Sequence, residues 1–270
     1  GLSPDPISAA ATNLDIPLFE HQRLRDQPAV DQFKALEPEL CVMAFVTDIV
    51  PGEMIEAPTF GTIQYHPSLL PLHRGPSSIN WAIMNGDMKT GLTIFWPDKG
   101  LDTGPVLLQK EVEITPDDTV GSLYFNHLFP MGVAALVEGV EMVRTGDPPH
   151  IVQDESKATY ESWTKASDGA IDWSKPVGDV YNLIRGSNPQ PGANTTHGDV
   201  TLKIFDSERV DGAPDAAPGT ITSVSDDGFT VAAIGGEIHV KRLQPPKSKK
   251  ILAPEYIAES SLAVGDVLGS

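Results

Sequence analysis

From Ala29 to Arg144 short apolar runs alternate with segments of helical spacing, and beyond about residue 170 this alternation gives way to short strands cut by turns. Two textures imply two layerings. Strands that alternate with helices predict an α/β, mostly parallel, doubly wound sheet, whereas closely spaced strands without long helices predict a small β-barrel or open barrel. In the first part, Val30, Phe33 and Leu36 have helical spacing, and the run Glu39 to Val46 reads as a strand buried on both faces. Strands follow at Thr62–Tyr65, Leu92–Trp96 and Val106–Ile114, with a helix at Ser77–Met84 ended by Asn85-Gly86. Pro116-Asp117-Asp118-Thr119 opens a long helical stretch to about Arg144, which Pro130 must interrupt or kink. In the second part, Asp211-Gly212, Asp227-Gly228 and Gly235-Gly236 punctuate strands at 201–205, 219–224, 229–233 and 237–243. The expected organisation is a first domain over 1–147, a polar linker over 148–170 and a second, β-barrel domain over 171–270.

Composition narrows the function classes. Acidic residues number 37 against 19 basic ones, a net charge of −18, which repels phosphate backbones and serves solubility. The single cysteine, Cys41, rules out an internal disulfide and sits among Leu40, Val42 and Met43 as a buried thiol does in a reducing, cytoplasmic setting. No apolar run approaches the roughly 18 residues of a membrane span, and no charged-then-apolar leader opens the chain. Gly1-Leu2-Ser3-Pro4-Asp5-Pro6 reads as loop, with no strand before it.

The densest unusual segment is His66-Pro67-Ser68-Leu69-Leu70-Pro71-Leu72-His73-Arg74-Gly75, directly after a strand. Ligands of open α/β sheets bind outside the carboxyl ends of strands, and a histidine there suits proton transfer near neutral pH. A histidine bonded to a backbone carbonyl fits the same pattern. Asp98-Lys99-Gly100-Leu101-Asp102-Thr103-Gly104 also follows a strand, either as a tight ligand-approaching loop or as ordinary turn chemistry. If the two strands are neighbours, His66 and Asp102 come within reach of each other as an acid/base pair. His-Glu-x-x-His zinc spacing, Gly-rich phosphate loops and a Gly-x-Ser-x-Gly elbow do not occur.

Together these segments carry a resemblance. Tyr65 to Pro71, His73-Arg74-Gly75, Ile79-Asn80-Trp81, Ile94-Phe95-Trp96 and Gly100 to Gly104 resemble the formyltransferase family that uses 10-formyltetrahydrofolate. Ile171-Asp172-Trp173, Ile184-Arg185-Gly186 and Pro191-Gly192-Ala193 extend the likeness over nearly the whole chain. It is strongest to the N-terminal hydrolase domain of 10-formyltetrahydrofolate dehydrogenase and next to methionyl-tRNA formyltransferase. The resemblance implies a Rossmann-like catalytic domain followed by an OB-like barrel, formyl transfer in one-carbon metabolism, and 10-formyltetrahydrofolate as formyl donor with no metal. It makes His66 and Asp102 the catalytic residues, and it maps a pterin-binding loop onto Asp48-Ile49-Val50. Ser68, Arg74, Gly75, Asp98 and Gly100 are carried along as substrate- or cofactor-binding positions. Gln64 stands where amine transformylases of the family carry an asparagine that donates to the oxyanion, so Gln64 joins the catalytic candidates. Family members begin with a βαβ unit of roughly 30 residues. The resemblance therefore implies an N-terminally truncated first domain lacking its first strand and helix. Three functions follow: a formyl hydrolase or small-amine transferase, a methionyl-tRNA formyltransferase, and an inactive folate-binding protein. For tRNA the candidate surface is Lys241, Arg242, Lys247, Lys249 and Lys250, which also fits a solvated barrel edge.

Overall fold

The computed structural model describes residues 5–46 and 48–269, so Gly1 to Pro4 of the loop read at the start lie outside the described residues. Packing divides the chain into two compact units, residues 1–63 and 64–270. In the first, α1 (Pro6–Asn13) is a helix that the opening sequence did not announce. Asp5 caps it by accepting from the Ile7 N–H at 3.1 Å, and Pro6 sits in the first turn, where its missing N–H costs nothing. Helix α2 (Gln27–Ala35) buries Ala29 and Val30. Strand β1 (Cys41–Met43) is shorter than the apolar run and is not buried on both faces: Met43 points inward, while Val42 and Phe45 are exposed. A one-turn helix, α3 (Gly52–Ile55), precedes β2 (Thr62–His66), which crosses the boundary between the units.

The second unit begins with a sheet that corrects the expected parallel topology. β3 (Lys89–Phe95) runs antiparallel to β2, with Gln64 opposite Phe95 and His66 opposite Thr93. β4 (Val106–Glu113) runs antiparallel to β3. β4 follows β3 through a direct loop, as an antiparallel neighbour can, whereas the connection from β2 to β3, which contains α4 (Ser78–Met84), is long enough for a parallel crossover and returns antiparallel instead. Thr119 then caps α5 (Val120–Leu123) in a reciprocal box with Ser122. A π-turn (Tyr124–Leu128) follows, in which the Phe129 N–H reaches back to the Tyr124 carbonyl, and α6 (Phe129–Thr145) completes the rod. The wide turn absorbs the interruption expected at Pro130, whose ring has no N–H to continue the ladder. Gly146 closes the rod in a left-handed conformation. Leu123 and Leu128 join Ile79, Ile83 and Ile114 in one core. The rod is 26 residues long and its most apolar 18-residue stretch has a mean hydropathy of 1.3, enough by those two measures to cross a membrane, which the reading by apolar runs had not shown. Only 22% of its most apolar stretch is buried.

The segment 148–170 is not a free spacer. Ile151 pairs with Val106, and Tyr160 pairs with Arg74. Beyond it α7 (Val177–Gly186) buries Val177, Val180, Tyr181 and Ile184, an amphipathic spacing of three and four residues. The strands are β5 (Ala193–His197), β6 (Val200–Ile204), β7 (Ser207–Asp211), β8 (Ile221–Ser225), β9 (Gly228–Ala233), β10 (Gly236–Val240), β11 (Arg242–Gln244) and β12 (Ile251–Leu252), followed by α8 (Ala253–Glu259). They form two antiparallel four-stranded sheets, in the orders β7-β10-β9-β8 and β12-β11-β6-β5. Among the described residues neither sheet closes on itself: of the barrel or open barrel expected, two open sheets are seen, sharing a core of Ile184, Leu202, Phe229 and Ile238. α7 lies close against α4: a Cβ on Gly186 would stand 2.5 Å from Met84 Cγ and 2.9 Å from the Met84 nitrogen.

Candidate active site

His66 ends β2, and Asp102 lies in the loop after β3; because antiparallel pairing sends the two strand ends in opposite directions, it is the return of that loop that brings Asp102 back to His66. His66 is 5% exposed and Asp102 6%. His66 Nδ1 stands 3.7 Å from Asp102 Oδ2. The other ring nitrogen, Nε2, lies 2.9 Å from the His73 carbonyl, which accepts but cannot donate, so Nε2 carries the proton. Burial holds the imidazole below its usual pKa, and Asp102 opposes this only in part. The neutral ring therefore turns the lone pair of Nδ1 toward a carboxylate. Two acceptors face each other at a separation too long for a direct bond, a geometry that suits a donor molecule placed between them.

The surrounding loops are tightly held. His73, at φ +53°, is fixed by its N–H to Thr159 Oγ1 (2.7 Å), by Nε2 to Asp87 (2.7 Å) and by Nδ1 to Glu161 (3.2 Å). Gly75 donates its N–H to Asp102 Oδ2 at 2.8 Å. Its φ of +106° and the Glu161 carbonyl, 2.2 Å from where a Cβ would sit, leave room for glycine alone. Asp102 itself has φ +57°. The Arg74 guanidinium is buried, bonded to Gln153 Oε1 through Nε (3.2 Å) and Nη2 (2.8 Å) and to Glu155 through Nη1 (3.0 Å) and Nη2 (2.6 Å). Gln153 Nε2 in turn donates to the carbonyls of Asp102 (2.9 Å) and Gly104 (2.7 Å).

Of the other candidates, Gln64 lies two residues before His66 on the same strand, hence on the same side. Ser68 is buried and gives its hydroxyl to the Leu72 carbonyl at 2.6 Å. Asp98 accepts from the Gly100 N–H (2.9 Å) and the Thr103 hydroxyl (2.6 Å), shaping the loop that carries Asp102. Asp48, Ile49 and Val50 belong to the first unit. There Asp48 accepts from the N–H groups of Leu24 and Ile49 at 2.8 Å each, bonds that hold its carboxyl below the usual range, and Ile49 is exposed. In the second unit Lys241 pairs with Glu208, Arg242 pairs with Asp206, and Lys250 lies 3.6 Å over the Phe205 ring. Sequence reasoning quoted His73 without giving it a role and missed Thr159 and Gln153, because nothing in a polar linker marks which residue will reach a loop 51 to 86 positions earlier.

Residues 4–138 match the formyl transferase family model, and residues 164–261 match the model for the formyl transferase C-terminal domain. The chain belongs to the formyl transferase family. A cytosolic 10-formyltetrahydrofolate dehydrogenase of Xenopus tropicalis is 41% identical over 93% of this chain, which spans only 30% of that relative's length. A methionyl-tRNA formyltransferase of Clostridioides difficile (strain 630) is 36% identical over 99% of this chain and 86% of its own length. Among solved structures, HypX from Aquifex aeolicus in complex with tetrahydrofolic acid shares the fold with a TM-score of 0.69 at 22% identity, covering 85% of this chain and 40% of that one. WlaRD, a sugar 3N-formyl transferase, shares it at 0.67 and 18% identity, covering 90% of this chain and 82% of that one. In this chain the segments quoted from the second part have structural roles. Trp173 donates to Thr195 Oγ1 at 3.0 Å, and Arg185 donates to the carbonyls of Thr115 and Asp118 beneath α5.

Proposed function

We propose that this chain removes the formyl group from 10-formyltetrahydrofolate and passes it to water or to a small amine, with His66 and Asp102 as the acid/base pair. The observation that carries this reading is the convergence of two buried acceptors, His66 Nδ1 and Asp102 Oδ2, 3.7 Å apart. A water or amine donating to both is oriented and deprotonated as it attacks the formyl carbon. Nδ1 takes the proton, and the resulting imidazolium is stabilised by the carboxylate beside it. That proton then passes to N10 as the carbon–nitrogen bond breaks, so hydrolysis yields tetrahydrofolate and formate. The Gln64 amide would donate to the developing oxyanion. In the first unit, exposed Ile49 beside Val50 offers apolar surface to a pterin ring.

A second reading, methionyl-tRNA formyltransferase, is favoured by the 36% identity that covers 86% of the Clostridioides difficile enzyme. Against it stand the net charge of −18 and the engagement of Lys241 and Arg242 by carboxylates. The deciding assay measures tetrahydrofolate release from 10-formyltetrahydrofolate in buffer, with small amines, and with charged initiator tRNA. Release in buffer or with amines is expected. Release only with the tRNA would replace the first reading by the second, and release under none of these conditions would end both.

A further inference from the structure

We propose that Gln153, in the segment between the two matched family regions, is a positioning residue for the His66–Asp102 pair, locking the loops that carry the two side chains to each other. This rests on the formyl-transfer reading of that pair. The Gln153 side chain is 8% exposed, and all four of its bonding positions are filled. Oε1 accepts twice from Arg74, and Nε2 donates to the carbonyls of Asp102 and Gly104. Only this orientation of the amide works, because a guanidinium can only donate and a carbonyl can only accept.

Each end of the amide grips a loop at the point where displacement matters. Asp102 is a non-glycine residue at φ +57°, a strained conformation that persists only where the surroundings over-determine it. Gln153 holds that residue's own carbonyl and the carbonyl two residues on. At the other end, Arg74 lies between His73, whose carbonyl fixes the His66 tautomer, and Gly75, whose N–H holds the Asp102 carboxylate. One amide thus ties the donor that orients Asp102 and the acceptor that orients His66 to the backbone of Asp102. Glutamate at this position keeps the shape and the contact with Arg74 but can donate to neither carbonyl. Arg74 retains Glu155 in any Gln153 variant.

The test compares the full-length wild type with Gln153→Glu and Gln153→Ala. Tetrahydrofolate release gives kcat and KM, and nitrogen-15 NMR of the histidine side chains gives the His66 titration and tautomer. The expectation is folded variants with kcat lower by about 10- to 100-fold, since a misplacement of about 1 Å carries roughly that penalty. KM should change less than about twofold, and the His66 titration midpoint should be displaced in both variants. Unchanged kcat and an unchanged His66 titration in a folded variant would overturn the proposal. Loss of the fold in both variants would overturn it too, by making Gln153 a structural residue. The NMR titration needs no turnover, so an inactive wild type would refute the proposed function while the titration still judged Gln153.

Discussion

The tautomer of His66 is set by a backbone carbonyl rather than by a second acid, and this has measurable consequences. With Nε2 committed to the His73 carbonyl, proton traffic is confined to Nδ1, the atom facing Asp102. His66→Ala and Asp102→Ala should each lower turnover by at least about 100-fold, the low end of what a positioned acid or base supplies, with circular dichroism unchanged. Burial lowers the His66 pKa, so the base form persists into mildly acidic solution, and the acid limb of kcat should fall below the ordinary histidine value of 6.5. The sign for stability follows from the same shift. The unfolded chain takes up this proton at a higher pH than the folded one, so His66 lowers stability as pH falls through 6.5 and has no such effect above it. Urea midpoints at pH 5.5 and 7.5 should differ more for the wild type than for His66→Asn; an equal difference would contradict the buried neutral ring. That His66 and Asp102 come together was legible, because each stands in an unusual loop that follows a strand. Arg74 and Ser68 read as ligand contacts, but both are spent within the protein, on Gln153 and Glu155 and on the Leu72 carbonyl. Sequence gives a residue's donors and acceptors, but not which of them the fold has already used.

Among the elements, what could be read locally was read well. β2, α4 and β4 lie where the apolar pattern and the turn residues place them. Strand direction was not legible, because alternating strands and helices imply a parallel sheet only if each connection returns to the same end. Whether the strands of the second half close on themselves was not legible either: β7 is a largely exposed edge strand, Ser-Glu-Arg-Val-Asp, without the alternation that a half-buried strand shows. α7 was visible in its spacing, at Val177, Val180, Tyr181 and Ile184, but was passed over among the turns. Its last residue makes a test. Gly186→Ala must separate α4 from α7, because the added methyl meets the Met84 backbone as well as its side chain. Thermal or urea unfolding should show a loss of about 1–3 kcal/mol, the ordinary cost of overpacking. No loss would mean that the two helices are less closely apposed.

For the molecule as a whole, charge decides more than fold, because the chain is similar both to a 10-formyltetrahydrofolate dehydrogenase and to a methionyl-tRNA formyltransferase. An excess of 18 negative charges, with Lys241 and Arg242 neutralised by Glu208 and Asp206, should leave little affinity for a polyanion. Gel-shift with initiator tRNA at about 150 mM salt is expected to show no retarded complex. A tight complex that weakens steeply with salt would favour the tRNA reading. The segment around Gln153 also bears on the molecule's history and engineering. Since that stretch contributes Gln153, Glu155 and Thr159 to the loops of the preceding region, the natural seam for a chimera lies after Glu161. A hybrid that joins residues 1–147 to a relative's second half at residue 148 would exchange those contacts along with the spacer, and so change the surroundings of His66 and Asp102 without touching either.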